Sequence, residues 1–399
     1  MGRAVLAGVV AALVGFSGAF TVVLAGLRAA GADERQAASG LLAVCLTSGL
    51  LAVWLGLRHR MPISIAWSTP GAALLIGAGA PPGGFAAAVG AFLLCGVLIV
   101  VAGLVPALAR LVAAIPSHVA GAMLAGVLLP LCLAPVRAVA EVPLLAAPVV
   151  AVWVLVGRFA RPWAVPAALV VAVGVIVATG PGPGTGSLAP ALVWTAPAFE
   201  PSTLVGIGLP LFLVTMASQN VPGMAVLAQF GYRPPLRPIL GTTGLATLAG
   251  APFGGHAVNL AAISAALVAG PEAGDPERRW IASVSNGVAL AVLGLGAGLA
   301  TAVVVSSPPV LVEAVAGLAL LGALAASLAA ALGEPAGREA AAVTFVVTAA
   351  GTGFLGLGSA FWGLLAGAAM TLLHRPPAAD RAQRGIGGGG RAGTGSTPP

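Results

Sequence analysis

Three polar interruptions carry the chemistry that this chain offers. They are PISIAWSTPG at Pro62–Gly71, SQNVPG at Ser218–Gly223 and PFGGHAVNLAA at Pro252–Ala262. In the first, Pro62 and Pro70 flank a stretch that cannot begin as regular helix. The Pro70-Gly71 pair suits the first turn of a helix, where the missing proline N–H costs nothing. A helix starting there aims free N–H groups and the positive end of its dipole at the preceding chain, which favours an anion. Ser68 and Thr69 supply hydroxyls that cap such a start or donate to a carboxylate. In the second motif Ser218, Gln219 and Asn220 precede Pro222-Gly223, and Gln219 both donates and accepts, as a carboxylate or carboxylic acid requires. In the third, Gly254 and Gly255 permit close backbone approach. His256, which with His118 is one of two histidines within or at the end of an apolar run, exchanges a proton near neutral pH. Asn259, three residues on, shares a face with His256 if the stretch is helical. Trp67 and Phe253 offer faces for an aromatic ring. The plainer readings are a proline kink that serves packing, a neutral histidine bonded to a backbone carbonyl, and polar side chains that glue helices together.

The elements that must position these residues are membrane helices. Of the 399 residues 59% are hydrophobic and 7% charged, against roughly 25% charged in soluble domains, too few to cover a water-facing surface. The apolar residues come in runs of about 20, the length of a spanning helix, without the alternation of a membrane β-barrel. Charged and Pro/Gly-rich breaks divide the chain into fourteen segments: 4–27, 36–57, 62–80, 85–105, 117–135, 139–157 and 163–180, then 202–229, 236–251, 253–270, 279–303, 314–333, 338–355 and 357–374. Seven segments per half means that the second half enters the membrane upside down, a common transporter plan. This predicts a first repeat over 1–180, an extracytoplasmic linker over 181–201, a second repeat over 202–375 and a disordered cytoplasmic tail over 376–399. Segments three and ten both open with Pro and polar or small residues before turning to Ala and Leu. Interrupted segments in matching positions are the best sequence pointer to a transport site. The run from Ala4 to Leu27 is too long for a signal-peptide core and reads as a retained helix.

Charge tests the segment count independently. Every cation other than histidine is Arg, and the net charge is +7. With the N-terminus in the cytoplasm, the outer loops hold only Arg28, Arg35 and Arg137. The other arginines (Arg3, Arg58, Arg60, Arg110, Arg158, Arg161, Arg233, Arg237, Arg278, Arg279, Arg338 and four beyond Leu373) fall inside. That asymmetry is the positive-inside pattern, and it predicts an even count with both ends cytoplasmic; twelve spans result if segments three and ten do not cross fully. Single arginines between apolar runs argue against nucleic acid as a partner. Cys45, Cys95 and Cys132 lie in apolar runs without metal-ligand spacing, so no metal is expected. No HExxH, Walker A, GxSxG or dinucleotide motif occurs, so neither an enzyme nor a cofactor is expected, and transport must draw on an ion gradient.

The strings PISIAWSTPGAALL (62–75), SQNVPGMAVL (218–227), GGHAVNLAAISAAL (254–267) and GPEA (270–273) closely resemble the benzoate/proton symporter family of bacterial inner membranes, over essentially the whole membrane region. That family is similar in turn to the superfamily of the uracil/proton symporters. The resemblance implies an all-α fold of seven plus seven inverted helices, with segments 1–4 and 8–11 as a core and 5–7 and 12–14 as a gate. It implies a substrate between the starts of half-helices three and ten, beside segments one and eight. The acid that nucleobase relatives carry in segment eight is replaced here by Gln219 and Asn220, which argues against a uracil-like substrate and leaves His256 as the leading proton carrier. The loop at Ala273–Asp275 is shorter than the family pattern.

The combined expectation is an inner-membrane protein that takes up benzoate or a related aromatic carboxylate with protons, by alternating access. Substrate contacts come from Trp67, Ser68, Thr69, Gln219, Asn220, Phe253 and Asn259. Pro62, Pro70, Gly71, Pro222, Gly223, Gly254 and Gly255 shape the broken segments. The partners are the substrate, protons and the lipid bilayer; a homodimer is compatible with the sequence. Competing readings are another organic anion, export of the same substrates, and a membrane sensor or scaffold.

Overall fold

A computed structural model of the protein describes residues 1–105, 107, 115–179, 191–305, 307–353 and 357–373. The tail after residue 375, residues 181–190 of the 181–201 linker and the loop that holds Arg110 lie outside these. The described chain is almost entirely helical, with one two-stranded sheet. The helices are α1 (Gly2–Ser17), α2 (Phe20–Ala29), α3 (Glu34–His59), α4 (Thr69–Ala78), α5 (Gly84–Leu104), α6 (Ser117–Cys132), α7 (Ala134–Glu141), α8 (Pro143–Phe159) and α9 (Ala164–Thr179). They continue with α10 (Pro201–Gln229), α11 (Leu236–Gly250), α12 (Ala262–Ala269), α13 (Trp280–Gly294), α14 (Ala297–Val305), α15 (Pro309–Leu332), α16 (Arg338–Ala349) and α17 (Ser359–Leu373). Seven helical stretches among the described residues are long and apolar enough to cross a bilayer, or eight if the bent pair α13–α14 counts as one.

Local chemistry explains where the helices start and break. Asp33 caps α3 in a capping box with Gln36, the Gln36 N–H donating to the aspartate at 2.8 Å and the Asp33 N–H to the amide oxygen at 3.0 Å, which satisfies two end donors reciprocally. The first segment breaks at Gly18–Ala19 into α1 and α2. Segment eleven, expected as one helix over 279–303, bends by 54° between α13 and α14, where Leu295 and Gly296 tighten into i→i+3 bonds. Segment eight differs from expectation in the other direction. SQNVPG does not interrupt it; α10 continues through Pro222 by widening into a π turn at Met216–Asn220. A proline at 222 cannot donate to the carbonyl four residues back, and the wider turn absorbs that loss without breaking the helix.

The helices pack in two groups. In the first, α3 lies along α13, α11 along α5 and α1 along α13, with α2 on α4 and α12 on α1 and α10. In the second, α6 packs on α15 and α16, α16 on α17, and α8 on α9. Contacts of α4 and the π turn of α10 with α6, and of α2 with α15, are among those that join the groups. The largest apolar cluster runs through both, and the free cysteines are buried.

Candidate functional site

Both interrupted segments are broken, and their extended parts pair. Ile65–Trp67 forms β1 and Val258–Leu260 forms β2; they run antiparallel with Ile65 opposite Leu260, Ala66 opposite Asn259 and Trp67 opposite Val258. Flanking bonds extend the ribbon, from Ser68 N–H to the Ala257 carbonyl at 2.9 Å and from Ala261 N–H to the Ser64 carbonyl at 3.0 Å. A peptide chain at membrane depth must bond its backbone internally, and this ribbon does so where helix is absent. The third motif is therefore extended from His256 to Asn259, so these two residues do not share a helix face. Gly254 turns the chain into it with φ +84°, a conformation costly for other residues.

Neighbouring side chains hold the ribbon from outside. The Leu260 N–H donates to Asn220 Oδ1 at 3.0 Å, and the Val258 N–H to Thr247 Oγ1 at 3.0 Å. Asn220 Nδ2 lies 3.4 Å from the Met216 sulfur. Thr215 donates to Ser68 Oγ at 3.0 Å, and Ser68 Oγ accepts the Gly71 N–H at 3.1 Å. Ser218 donates to the Val214 carbonyl at 2.6 Å. The π turn of α10 thus runs alongside the ribbon, from Ser68 at one end to Leu260 at the other.

The ribbon leads into α4 at one end and α12 at the other, and the two helix starts differ. Most of the α4 start is satisfied from within: Pro70 has no N–H, the Gly71 N–H goes to Ser68 Oγ, and the Ala72 N–H goes to the Ser68 carbonyl at 2.9 Å, which leaves the Thr69 N–H. The α12 start has Ala261 at its cap and no side-chain cap, so its first-turn N–H groups are left to receive an anion. Gly15 of α1 lies against this start, with the Ser264 hydroxyl 3.2 Å from where a Gly15 Cβ would stand. Next to Gly15, Phe16 is half-buried, stacks on Phe20 at 5.2 Å and meets the Trp67 ring edge-on at 6.3 Å.

The expected site residues divide by what they already do. Ser68, Asn220 and Ser218 have hydrogen-bond partners in the fold. Thr69 and Gln219 are half-buried and make no side-chain hydrogen bond among the described residues. Asn259 is fully buried, with neither amide atom partnered among them. His256 is fully buried; Nδ1 lies 3.4 Å from the Ala257 carbonyl, Nε2 has no partner, and the Phe92 ring of α5 stands edge-on at 6.4 Å. The Phe253 ring is seated on Trp194, at 5.5 Å, and its carbonyl accepts from Ser39 at 2.8 Å. Pro62 and Pro70 flank β1 as expected, and Gly223 gives Leu260 room, its Cβ position lying 2.8 Å from Leu260 Cβ. Phe16, Thr215, Thr247 and Ser264 were not singled out by sequence. Each is an ordinary residue within a helix, and only the packing against the ribbon distinguishes it.

The family model described as "Benzoate membrane transport protein" matches residues 2–373. The inner membrane protein YdcO of Escherichia coli (strain K12) is 38% identical, over 91% of this chain and 93% of that protein. The benzoate membrane transport protein of Acinetobacter baylyi is 32% identical, over 94% of this chain and 96% of that protein. Among solved structures, the transmembrane domain of a cyanobacterium bicarbonate transporter, BicA, has a similar fold, with a TM-score of 0.58 at 16% identity, covering 92% of this chain and 97% of that one.

Proposed function

Because the chain belongs to the benzoate membrane transport protein family, and so is a membrane transporter rather than an enzyme, we propose that it carries benzoate or a related aromatic carboxylate inward together with protons. The observation that carries this reading is the β1–β2 ribbon flanked by the uncapped α12 start, the free side chains of Thr69 and Gln219, and the Phe16–Trp67 aromatic pair. The carboxylate is received by the first-turn N–H groups of α12 and by the Ser264 hydroxyl. Gln219 and Thr69 supply further donors within reach of the ribbon, and Asn259 lies in the strand beneath. Ser68 and Asn220 act one step back by fixing the ribbon. The ring rests on Phe16 and Trp67; Phe253, seated on Trp194, is assigned to the outer end of segment ten instead.

Proton coupling follows from electrostatics. An anion entering a cell with a negative interior meets about 2.3 kcal/mol per 100 mV, and one accompanying proton removes that penalty. Among the described residues no carboxylate lies in the ribbon or the helix starts that flank it. His256, at the Ser68 end of the ribbon, is the titratable group in place to carry the proton.

The same reading assigns fourteen crossings in two inverted repeats, both ends in the cytoplasm of the inner membrane. It is supported by the second helix of each half packing on the fourth of the other half (α3 on α13, α11 on α5) and by the arginine asymmetry. The first packing group is the core that holds substrate and the second the gate against which it rocks. The test is uptake of labelled benzoate by proteoliposomes of the purified protein, with and without an inward proton gradient. Gradient-stimulated uptake is expected; uptake indifferent to the gradient would remove the symport claim.

A further inference from the structure

We propose that a water molecule is a built-in part of this fold, held on the Ser64–Ala66 face of the ribbon by Asn259, Asn286 and Ser48. The inference rests on buried polar atoms and does not depend on the substrate. Helices α3 and α13 touch closely: a Cβ on Gly49 would lie 2.5 Å from the Gly287 carbonyl oxygen. Farther along, the Ser283 hydroxyl reaches the Ala52 carbonyl at 3.4 Å and also donates to the Ile63 carbonyl. Ser283, Ala52 and Ile63 therefore form one layer. The next layer holds Asn286, one turn on from Ser283; Ser48, one turn back from Ala52; and Ser64, the residue after Ile63. The Asn286 Nδ2 to Ser64 Oγ contact at 3.4 Å fixes that layer. Strand alternation puts Ala66 on the same face as Ser64, and Asn259 is the cross-strand partner of Ala66.

All four polar residues are buried: Ser48, Ser64 and Asn259 at 0% exposure and Asn286 at 1%. Among the described residues, Ser48 Oγ, Asn286 Oδ1 and both Asn259 amide atoms have no partner. Such atoms are expensive to leave unbonded. From Ser64 to Ala66 the strand advances roughly 6.6 Å, too far for one hydrogen bond and close to the roughly 6 Å that two bonds of about 2.7–3.2 Å each reach through one intervening atom. The mixed set, a donor at Asn259 Nδ2 and an acceptor at Asn286 Oδ1, favours an atom that both accepts and donates. A cation takes acceptors only and leaves the Asn259 N–H groups orphaned. A water both accepts and donates: it accepts from Asn259 Nδ2, donates to Asn286 Oδ1 and has Ser48 as its third partner, the usual number for a buried water, and of the four unpartnered atoms only Asn259 Oδ1 is left to another donor. The outer backbone edge of β2 is held without water, by Asn220 and Thr247 directly.

The test is a map of the full chain in lipid nanodiscs at a resolution that shows ordered water. The expected result is a peak within hydrogen-bond distance of Asn259 and Asn286 in the wild-type protein. A map that resolves other buried waters but shows no peak there, or shows the two amides bonded to each other, overturns the proposal. Melting of the purified protein in sodium chloride and in choline chloride separates the cation. Equal midpoints are expected, and a sodium-specific upward shift that Asn259→Leu abolishes replaces water with a cation at this site.

Discussion

Replacing Gln219 by Ala tests the proposed division between side chains that bind substrate and side chains that hold the fold. Gln219 is half-buried on the π turn of α10 and has no side-chain hydrogen bond among the described residues, so its truncation removes nothing from the folded transporter. A hydrogen bond to a charged group contributes about 1.5–3 kcal/mol, and 1.4 kcal/mol is roughly a tenfold change in affinity. Gln219→Ala is therefore expected to raise the KM for benzoate by about 10- to 150-fold, with an unchanged melting midpoint. Ser68→Ala is the contrast. Ser68 Oγ accepts the Gly71 N–H and the Thr215 hydroxyl, so its loss removes a cap worth about 0.5–2 kcal/mol and lowers the melting midpoint, with a KM change under about fivefold, below 1 kcal/mol. Initial uptake rates in proteoliposomes and thermal melting in detergent measure both quantities on the same preparations. If Gln219→Ala destabilises the protein while leaving KM alone, the division between free and committed side chains is refuted.

Further predictions follow from other contacts. His256→Ala is expected to bind benzoate but to lose stimulation by an imposed proton gradient; normal pH-coupled uptake eliminates His256 as the carrier. Gly26→Val is expected to abolish transport and lower expression of folded protein, because a Cβ at Gly26 would come within 2.5 Å of the Ala72 carbonyl oxygen and push α2 off α4; fluorescence-detected size exclusion reads the folded fraction. Thr247→Val leaves the buried Val258 N–H without its acceptor, at a cost of about 1–3 kcal/mol, and a melting midpoint equal to wild type contradicts that bond.

Much of this was legible in the sequence because broken membrane segments are punctuated by unusual residues. Pro62, Pro70 and Pro252 marked the broken openings of segments three and ten, and the structure pairs those openings. The strands themselves were not legible. Three residues per strand carry no usable alternation, and Val258-Asn259-Leu260 reads equally well as the start of an apolar helix. That ambiguity put His256 and Asn259 on a shared helix face, whereas the chain between them is extended. The π turn escaped notice because Pro222 usually signals a break, and a widened helical turn has no residue signature of its own. Phe16 was overlooked because the Gly15–Gly18 region offers few polar atoms; its importance comes from Trp67, which a fold places beside it and a sequence does not. Ser264 stood in a motif already noted, yet only the approach of Gly15 distinguishes it from a serine within a helix.

The account rests on a carboxylate seated at the start of α12 with its ring toward Phe16 and Trp67. Anomalous scattering from crystals of the transporter soaked in 4-iodobenzoate tests that directly. The expected result is one iodine peak beside Phe16 and Trp67, with the carboxylate density reaching the N–H groups of Ala262–Ser264. A single strong peak elsewhere, with the α12 start in contact with no ligand atom, would contradict it.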